Sequence, residues 1–341
     1  MKKSISIIGA SGYSGAELLR LLLHHPQTTV NHLFAHSSAG KSVDTLYPRF
    51  RSTPVGGILF EEFHIDKIVD DDLIFIALPS GEAMTYVPAL IEAGKRIIDL
   101  GGDFRLQDIQ AYRQYHKREH NAASYINHAV YGLPEWNAGR IAAAQLIANP
   151  GCYATGALLP LLPLVTSGLV ESNGITISSQ SGVSGAGRSA SVELSFTEVN
   201  ETVRAYRIGT HQHTPEIETV INQFGASGTT VTFVPHLIPI TRGIYSTMFA
   251  QLRNGTTKEE ISRALSTRYS QSPFVRLLGE GIPEIKNVQH TNYIDIGWQI
   301  YDRNHQVIVT SVIDNLIKGA AGQAIQNMNL MCGFKETEGL L

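Results

Sequence analysis

Cysteines and long apolar runs are both scarce in this chain of 341 residues. Only two cysteines occur, Cys152 and Cys332, which excludes a disulfide-rich scaffold and suits a reducing compartment. No stretch of 18 or more uncharged apolar residues is present, so the usual signature of a membrane-spanning helix is missing. Met1-Lys2-Lys3-Ser4 leads directly into a short apolar segment, unlike a signal peptide. We therefore expect a cytoplasmic protein without membrane contacts.

An excess of charge of one sign is also lacking. The chain has 27 lysines and arginines against 30 aspartates and glutamates, a formal net charge of -3, and no long basic run. A nucleic-acid surface is therefore not expected, and a small molecule is the expected partner. The length exceeds the roughly 250 to 300 residues at which single hydrophobic cores stop growing. Two domains are therefore predicted.

The first half of the chain alternates strand-like and helix-like segments. Ser4–Ile8 is a β-branched run, and a helical pattern at 16–23 follows it after a glycine-rich turn. The other predicted elements are strands at 30–35, 73–78 and 96–100 and a helix at 82–93. This alternation predicts an α/β fold with a parallel sheet. We assign residues 1–148 to this first domain, which a returning C-terminal helix within 317–341 would complete.

From about residue 149 the pattern predicts fewer helices. Thr257 and Glu260 fit a capping box that would begin a helix ending near Tyr269. The predicted strands lie at 175–178, 231–234, 245–252, 292–300 and 306–313, the last two joined by a hairpin at 302–305. We therefore predict a second domain of the α+β class over residues 149–316, with a mixed, mostly antiparallel sheet.

The turn Gly9-Ala10-Ser11-Gly12-Tyr13-Ser14-Gly15 lies between a predicted strand and a predicted helix. Glycines allow the backbone to approach a pyrophosphate, and the helix start stabilises its charge. A helix that only packs close to a strand would also use glycine. The predicted cofactor-binding residues here are Gly9, Ser11, Gly12, Tyr13, Ser14 and Gly15.

The end of the second predicted strand carries no carboxylate. An NAD-specific site usually has an acidic residue here that binds the ribose 2′-hydroxyl. This chain has Ser37, Ser38 and Lys41 in that region, and two hydroxyls with a cation suit a 2′-phosphate. The alternative is a solvated turn. The sequence favours NADP over NAD.

Cys152 lies in the segment Asn149-Pro150-Gly151-Cys152-Tyr153-Ala154-Thr155, just before the apolar stretch 157–165. A thiol at a helix N-terminus has its thiolate stabilised by the backbone dipole, and the thiolate attacks acyl carbons. Cys152 is therefore the candidate nucleophile. Cys332, beside Met331 near the C-terminus, is interpreted as a small core residue.

Two further polar segments could serve this thiol. His211-Gln212-His213-Thr214-Pro215-Glu216 precedes a predicted helix, so its polar groups should cluster on one side of a turn. No familiar zinc spacing accompanies the two histidines, so no metal is expected, and a plain surface turn is the other alternative. The glycine-rich loop 181–188 ends at Arg188, which suits a phosphate or carboxylate unless the loop is flexible and Arg188 solvated. Arg242 is a similar candidate for binding a phosphate or carboxylate.

These segments together resemble the N-acetyl-gamma-glutamyl-phosphate reductase family over nearly the whole chain. The resemblance rests on several motifs, which are specific in combination: Gly9 to Gly15, Tyr131-Gly132-Leu133-Pro134-Glu135, Asn149 to Thr155, Gly182 to Arg188, His211 to Glu216, Pro235-His236-Leu237 through Gly243, and Lys318 to Ala324. Family members often have Arg near Ser37-Ser38, His at the position of Ser80, and Ser at that of Gly101. The first departure weakens the preference for NADP over NAD, and the other two concern nucleotide-facing loops and leave the thiol chemistry untouched.

The resemblance implies an activity and a set of site residues. Cys152 would be the nucleophile and His211 the acid or base, with His213 and Glu216 on the substrate side. Substrate contacts are also predicted for Arg188, Arg242 and Asn149, and further cofactor contacts for Pro79, Ser80, Ser184, Gly185 and Gly187. The resemblance also implies NADPH-dependent reduction of an acyl phosphate through a Cys152 thioester, by a homo-oligomer, either a dimer or a tetramer. Residues 1–148, with the helix within 317–341, would then form the NADP-binding Rossmann domain, and residues 149–316 the catalytic and dimerisation domain.

Two other functions fit the same motifs. One is another semialdehyde dehydrogenase, acting on aspartyl phosphate or on N-acetyl-aminoadipyl phosphate, since pocket depth cannot be read from one sequence. The other is a redox-sensing NADP-binding module that keeps the fold without turnover. The joint presence of Cys152, His211 and Arg188 favours an enzyme.

Overall fold

The computed structural model describes residues 2–225 and 228–341. The chain divides into two units, which are treated separately below. The first unit consists of Met1–Pro150 and Ala320–Leu341, and the second of Gly151–Gly319. In the described part of the chain, no helix combines the length and apolar character needed to cross a membrane.

The first unit is built on a six-stranded, entirely parallel sheet with the order β2-β1-β3-β4-β6-β5. The strand order reverses between β1 and β3, which is where α/β sheets bind ligands, beyond the carboxyl ends of the strands. The strands are β1 Lys3–Ile8, β2 Thr28–Phe34, β3 Leu73–Ile76, β4 Arg96–Asp99, β5 Ala129–Tyr131 and β6 Leu146–Ala148. The helices are α1 Tyr13–Leu23, α2 Val43–Leu46, α3 Ala83–Glu92, α4 Ile109–His116 and α5 Pro134–Ala143. The predicted parallel α/β sheet is confirmed.

The second unit is built on a seven-stranded mixed sheet with the order β11-β12-β13-β10-β7-β9-β8. Four of its neighbouring pairs are antiparallel and two are parallel, which confirms the predicted mixed, mostly antiparallel sheet. The helices are α6 Cys152–Thr166, α7 Phe196–Val199, α8 His213–Phe224 and α9 Lys258–Tyr269. The strands are β7 Ile175–Ser181, β8 Arg204–Ala205, β9 Val231–Leu237, β10 Ile244–Gln251, β11 Val275–Leu277, β12 Ile294–Tyr301 and β13 Gln306–Ile313.

Helix α6 lies in the core of the second unit. Its residues from Tyr153 to Val165 are all buried, and it packs on β10, β13, α8 and α9. Because the helix is apolar on every side, burial on all faces is the arrangement its sequence requires. Its start, which carries Cys152, is therefore held by packing along the whole helix.

The chain ends in the first unit. A π-helical turn at Ile317–Ala321 leads into α10, Gly322–Cys332, which packs against α5, α1 and β4. Asn327 Nδ2 donates to the carbonyl oxygen of Gly132, and His25 pairs with Asn329 through Nε2 and Oδ1 at 2.9 Å. These buried polar contacts fix α10 to the first unit in one register.

A buried carboxyl group lies at the end of β4. Asp99 is fully buried, its Oδ1 accepts a hydrogen bond from the Gly101 N–H at 2.8 Å, and within the described residues its Oδ2 has no hydrogen-bond partner. Burial, with a smaller contribution from the charge of Asp103, raises the pKa of Asp99 from 3.8 to about 7. The folded protein therefore holds a proton on Asp99 at pH values where the unfolded chain releases it.

This proton makes the free energy of unfolding fall as the pH rises from about 4 to about 7, because the native state binds the proton more tightly. Asp99→Asn is neutral in both states and should remove that loss. We expect the variant to gain on the order of 3 kcal/mol over wild type at pH 8 and little at pH 4, measured by urea unfolding. Asp66→Asn, at an exposed carboxylate, is the matched control. An equal effect of Asp99→Asn at both pH values would contradict this account.

Candidate active site

The glycine-rich turn of the first unit follows β1 and begins α1. Gly9 has a φ of +85°, and a Cβ there would lie 2.4 Å from the Ala77 carbonyl oxygen; a Cβ at Gly15 would lie 2.6 Å from the Gly9 carbonyl oxygen. Packing alone thus explains these two glycines. Gly12 is the N-cap of α1, where a Cβ would meet nothing closer than 3.5 Å. The helix start therefore leaves room on the Gly12 side for an anionic group to reach the first N–H groups of α1.

The predicted ribose-binding segment forms a short 3-10 helix, His36–Ser38, directly after β2. Ser37 and Lys41 are exposed, whereas Ser38 is buried. A carboxylate does approach the segment, because Glu62 Oε1 lies 3.4 Å from His36 Nδ1. The choice of NADP over NAD therefore stays a prediction.

Pro79 and Ser80 follow β3 on the same edge of the sheet. Pro79 is exposed, and the Ser80 hydroxyl accepts a hydrogen bond from the Gly102 N–H at 3.1 Å. Asp103 accepts hydrogen bonds from the N–H groups of Gly81 and Ala83, at 2.6 and 3.1 Å, and so fixes the start of α3. The segments after β1 and β3 are thus both held by local contacts.

Cys152 is the first residue of α6, as the sequence predicts, and Gly151 is its extended N-cap. The thiol is half-buried. A Cβ at position 319 would lie 2.7 Å from the Cβ of Cys152, which is too close. The absence of a side chain at Gly319 therefore makes room for Cys152 at this position. The helix start supplies N–H groups and a dipole that favour a thiolate at this position.

Glu216, on α8, reaches the backbone beside Cys152. Its carboxylate is buried, and Oε1 accepts a hydrogen bond from the Gly151 N–H at 2.8 Å. His213 Nε2 lies 3.8 Å from Glu216 Oε2, so a protonated His213 would balance this buried charge. Glu216 holds the start of α6, with His213 beside it, and the predicted role of both residues in substrate binding stays a prediction.

His211 is buried in an aromatic box formed by Tyr153, Tyr206 and Phe233, whose ring centroids lie 5.3 to 5.6 Å from its own. Its Nδ1 accepts a hydrogen bond from the His213 N–H at 3.1 Å. Because Nδ1 is the acceptor, the neutral imidazole carries its proton on Nε2. His211 is thus fixed as a donor through Nε2.

Tyr206 was missed by the sequence reasoning. Its hydroxyl lies 2.9 Å from that of Tyr153, the residue after Cys152. Burial is the largest cause that raises the pKa of both phenols, and the charge of Cys152 adds to it. In the sequence, the available signal for Tyr206 was its position five residues before His211. The strand that precedes it, β8, is only two residues long.

The second glycine-rich loop packs on the backbone that precedes β10. A Cβ at Gly182 would lie 2.8 Å from the Arg242 nitrogen, and Gly187 has a φ of +86°. Ser184 is buried and its hydroxyl accepts a hydrogen bond from Asn315 Nδ2 at 3.0 Å, whereas Gly185 is exposed. The structure thus brings this loop and Arg242 together.

The two predicted arginine anchors differ in their surroundings. The guanidinium of Arg242 is buried, with Nε 3.1 Å from Asp314 Oδ2 and Nη1 3.0 Å from His290 Nδ1. Arg188 is exposed at the end of the loop. Arg242 therefore has a built-in counter-charge, and substrate binding by either arginine stays a prediction.

Asn149 belongs to the first unit and follows β6. Its side chain is engaged there, because Oδ1 accepts from Asn327 Nδ2 at 3.0 Å and Nδ2 donates to the Ala320 carbonyl oxygen at 3.2 Å. Arg105, a residue without a predicted role, donates from Nε to the Asn149 carbonyl oxygen at 2.8 Å. The structure thus gives Asn149 a clear packing role, and substrate binding by it stays a prediction.

Both units match known protein families. Residues 4–144 match the family described as semialdehyde dehydrogenase, NAD binding domain. Residues 152–315 match the family described as semialdehyde dehydrogenase, dimerisation domain. The first match covers the glycine-rich turn, and the second covers Cys152, His211 and Arg242.

Curated relatives match over the full length of the chain. A protein named N-acetyl-gamma-glutamyl-phosphate reductase from Pelotomaculum thermopropionicum is 46% identical, over 100% of this chain and 98% of its own length. A protein of the same name from Geobacillus stearothermophilus is 44% identical over 99% of this chain and 97% of its own.

Solved structures share the fold at low identity. Aspartate semialdehyde dehydrogenase II from Vibrio cholerae superposes with a TM-score of 0.75 at 16% identity, covering 98% of this chain and 99% of that one. The aspartate semialdehyde dehydrogenase of Candida albicans, solved with NADP, gives a TM-score of 0.72 at 17% identity over 97% and 99% of the two chains.

Proposed function

Because this chain belongs to the N-acetyl-gamma-glutamyl-phosphate reductase family, we propose that it reduces N-acetyl-L-glutamyl 5-phosphate with NADPH. The products are N-acetyl-L-glutamate 5-semialdehyde, phosphate and NADP⁺, and the reaction is a step of arginine biosynthesis. The observation that carries the proposal is Cys152 at the start of a wholly buried helix, in a chain 46% identical to a reductase of that name.

The first step is acyl transfer to sulfur. The Cys152 thiolate attacks the carbonyl carbon of the acyl phosphate, the carbon–oxygen bond to phosphate breaks, and a thioester remains on the enzyme. Phosphate leaves with the bonding electron pair. The backbone N–H of Cys152 belongs to the first turn of α6 and supports the oxyanion of the tetrahedral intermediate.

The second step reduces the thioester to the aldehyde. NADPH, when bound, supplies a hydride to the thioester carbon. The Nε2–H of His211 donates a hydrogen bond to the oxyanion of the hemithioacetal, and the oxyanion then re-forms the carbonyl group as the carbon–sulfur bond breaks. The semialdehyde leaves and Cys152 is restored as a thiolate.

The first unit carries the groups that suit the cofactor. The space beside Gly12 at the start of α1 would accept the pyrophosphate, together with Ser11, Tyr13 and Ser14. Ser37, Ser38 and Lys41 would hold a 2′-phosphate. Pro79 and Ser80 lie at the end of the adjacent strand β3 and would border the cofactor, and the loop residues Ser184, Gly185 and Gly187 of the second unit are further proposed contacts.

The substrate carries a phosphate and a carboxylate, which call for cationic partners. We assign Arg188 and Arg242 to these anions, with His213, Glu216 and Asn149 as the other substrate contacts. The second unit matches a dimerisation domain, and we expect a cytoplasmic homodimer or homotetramer assembled through it.

Substrate identity can be tested by comparing three acyl phosphates. We expect kcat/KM for NADPH oxidation to be highest with N-acetyl-glutamyl phosphate, by at least about tenfold over N-acetyl-aminoadipyl phosphate, since one added methylene in a fitted pocket costs 1–3 kcal/mol. Aspartyl phosphate lacks the N-acetyl group and should be poorer still. The same assay with NADH measures the cofactor preference. A higher kcat/KM with aspartyl phosphate would refute the proposed substrate.

A further inference from the structure

The segment that follows β2 in the first unit forms a loop over residues 40–60. At its base, the Gly40 N–H donates to the Phe60 carbonyl oxygen at 2.8 Å. One turn further along, the Val43 N–H donates to the Ile58 carbonyl oxygen at 2.9 Å. Val43, Phe50 and Phe60 are buried. The 40–60 loop is therefore closed at its base and fixed to the first unit by apolar side chains.

The tip of the 40–60 loop is bonded to the glycine-rich turn. The Tyr47 hydroxyl donates to the Ser11 carbonyl oxygen at 2.7 Å, across 36 residues of chain. On the same tip, Arg49 Nη1 donates to Oε1 of Glu17 at 2.9 Å. Glu17 is a buried carboxylate of α1 that also accepts from Arg20 Nε at 2.8 Å. The loop thus contacts both the turn before α1 and α1 itself.

The Tyr47 hydrogen bond fixes the peptide group between Ser11 and Gly12. In a trans peptide the C=O and the N–H point in opposite directions. Here the Gly12 N–H donates to the Gly9 carbonyl oxygen at 3.2 Å, and the C=O of the same peptide accepts the Tyr47 hydroxyl. Gly12 is the N-cap of α1, and the N–H groups of the first helical turn, which have no intrahelical partner, follow directly. The direction of these donors therefore depends on how this peptide is held.

The base of the 40–60 loop adjoins the segment proposed to hold the 2′-phosphate. The Lys41 N–H donates to the Ser38 carbonyl oxygen at 3.1 Å, and the Lys41 side chain is exposed. The Lys41 carbonyl oxygen in turn accepts the Phe60 N–H at 2.9 Å. One loop thus connects the two places where the cofactor's phosphates are proposed to bind, and Tyr47 is its contact with the second of them.

We propose that Tyr47 is a positioning residue for the dinucleotide. Its hydroxyl holds the peptide between Ser11 and Gly12 so that the first N–H groups of α1 face the pyrophosphate. The proposal rests on the proposed use of NADPH, and it assigns part of the cofactor affinity to a residue outside the glycine-rich turn. Because Tyr47 acts through the turn, its loss should weaken cofactor binding and leave the chemistry at Cys152 unchanged.

The test compares the dissociation constant of NADPH for Tyr47→Phe and wild type, by fluorescence titration of the full-length protein. Phenylalanine keeps the ring against Phe50 and removes only the O–H. The constant should rise by about threefold to tenfold, the range expected for the loss of one hydrogen bond. In steady-state assays the KM for NADPH should rise by a similar factor, while kcat and the KM for the acyl phosphate stay at wild-type values.

Two further ligands locate the effect within the cofactor site. NADH shares the pyrophosphate of NADPH, so its dissociation constant should rise by the same factor. Adenosine 2′-phosphate lacks the pyrophosphate, and its binding, measured by competition with NADPH, should be the same for Tyr47→Phe and wild type. An equal loss of affinity for this fragment and for NADPH would place the effect at the Lys41 end of the loop and overturn the proposal.

Two other variants control for a general loss of stability. Tyr125→Phe removes a similar hydrogen bond in the same unit, from a half-buried phenol to Glu92 Oε1 at 2.9 Å, and should leave NADPH binding unchanged. Arg49→Gln removes the ion pair at the loop tip and leaves Glu17 paired with Arg20. Its effect on NADPH binding should have the same direction as that of Tyr47→Phe and be smaller, since Arg49 does not touch the turn peptide directly.

Each result decides a different claim. Unchanged NADPH binding in folded Tyr47→Phe, beside a wild type that binds NADPH, would overturn the role of Tyr47 and leave the proposed function standing. A wild type that bound neither NADPH nor NADH would instead overturn the proposed function, and this proposal with it. If Tyr47→Phe failed to fold, Arg49→Gln would carry the test, and unchanged NADPH binding there would overturn the proposal.

Discussion

Replacing Cys152 by alanine should lower the rate of N-acetyl-glutamyl phosphate reduction by more than about 10⁴-fold, because no other group can form the thioester. Cys152 is the first residue of a helix whose following residues are buried, so removing its sulfur leaves the backbone of the site in place. NADPH binding, in which Cys152 has no assigned contact, should be unchanged. The measurements are single-turnover NADPH oxidation and a fluorescence titration with NADPH.

The chain supplies its own control for this variant. Cys332 lies at the end of α10 in the first unit, and burial raises the pKa of its thiol, so it is a poor nucleophile. Cys332→Ala should therefore retain the wild-type rate. Comparable turnover in Cys152→Ala and Cys332→Ala would contradict the covalent mechanism.

Replacing His211 by asparagine should lower kcat by about 10² to 10³-fold, the usual contribution of one hydrogen-bond donor to an oxyanion. Asparagine was chosen because its Oδ1 can accept the His213 N–H that now bonds to His211 Nδ1, while the donor at the Nε2 position is lost. Acylation of Cys152 should persist, since the thiolate is supported by the helix start. The defect should therefore appear in the reduction step, measured by stopped-flow NADPH oxidation after the thioester has formed.

His305→Asn is the matched control for that variant. His305 is exposed in the hairpin between β12 and β13 and has a φ of +51°, a conformation that asparagine tolerates well. Its activity should equal that of wild type. If His211→Asn reduced the preformed thioester as fast as this control does, His211 would not be the hydrogen-bond donor to the oxyanion.

Elements with strong local signals could be predicted from the sequence. Thr257 and Glu260 form the capping box that their spacing predicts, with both hydrogen bonds present, and α9 runs to Tyr269. The predicted hairpin between 292–300 and 306–313 is confirmed as β12 and β13, paired antiparallel. The residues that specify these two elements lie within a few positions of each other, so a single sequence is sufficient to predict them.

Features that depend on distant contacts could not be predicted. Strands β5 and β6 are three residues long each, too short for a periodic signal, and the sheet order is set by packing. The contact of Glu216 with the Gly151 N–H joins residues 65 positions apart, and no local pattern indicates it. The same is true of the Tyr153–Tyr206 pair. The sequence thus indicated Cys152 as a candidate nucleophile, and the structure shows which distant groups hold the start of its helix.

The most direct test of the thioester is to mix the enzyme with N-acetyl-glutamyl phosphate in the absence of NADPH. We expect a burst of phosphate equal to the concentration of active sites, with an N-acetylglutamyl adduct on the peptide that contains Cys152. Adding NADPH should then remove the adduct and release the semialdehyde. Phosphate release only when NADPH is present, with no adduct on Cys152, would contradict the covalent mechanism.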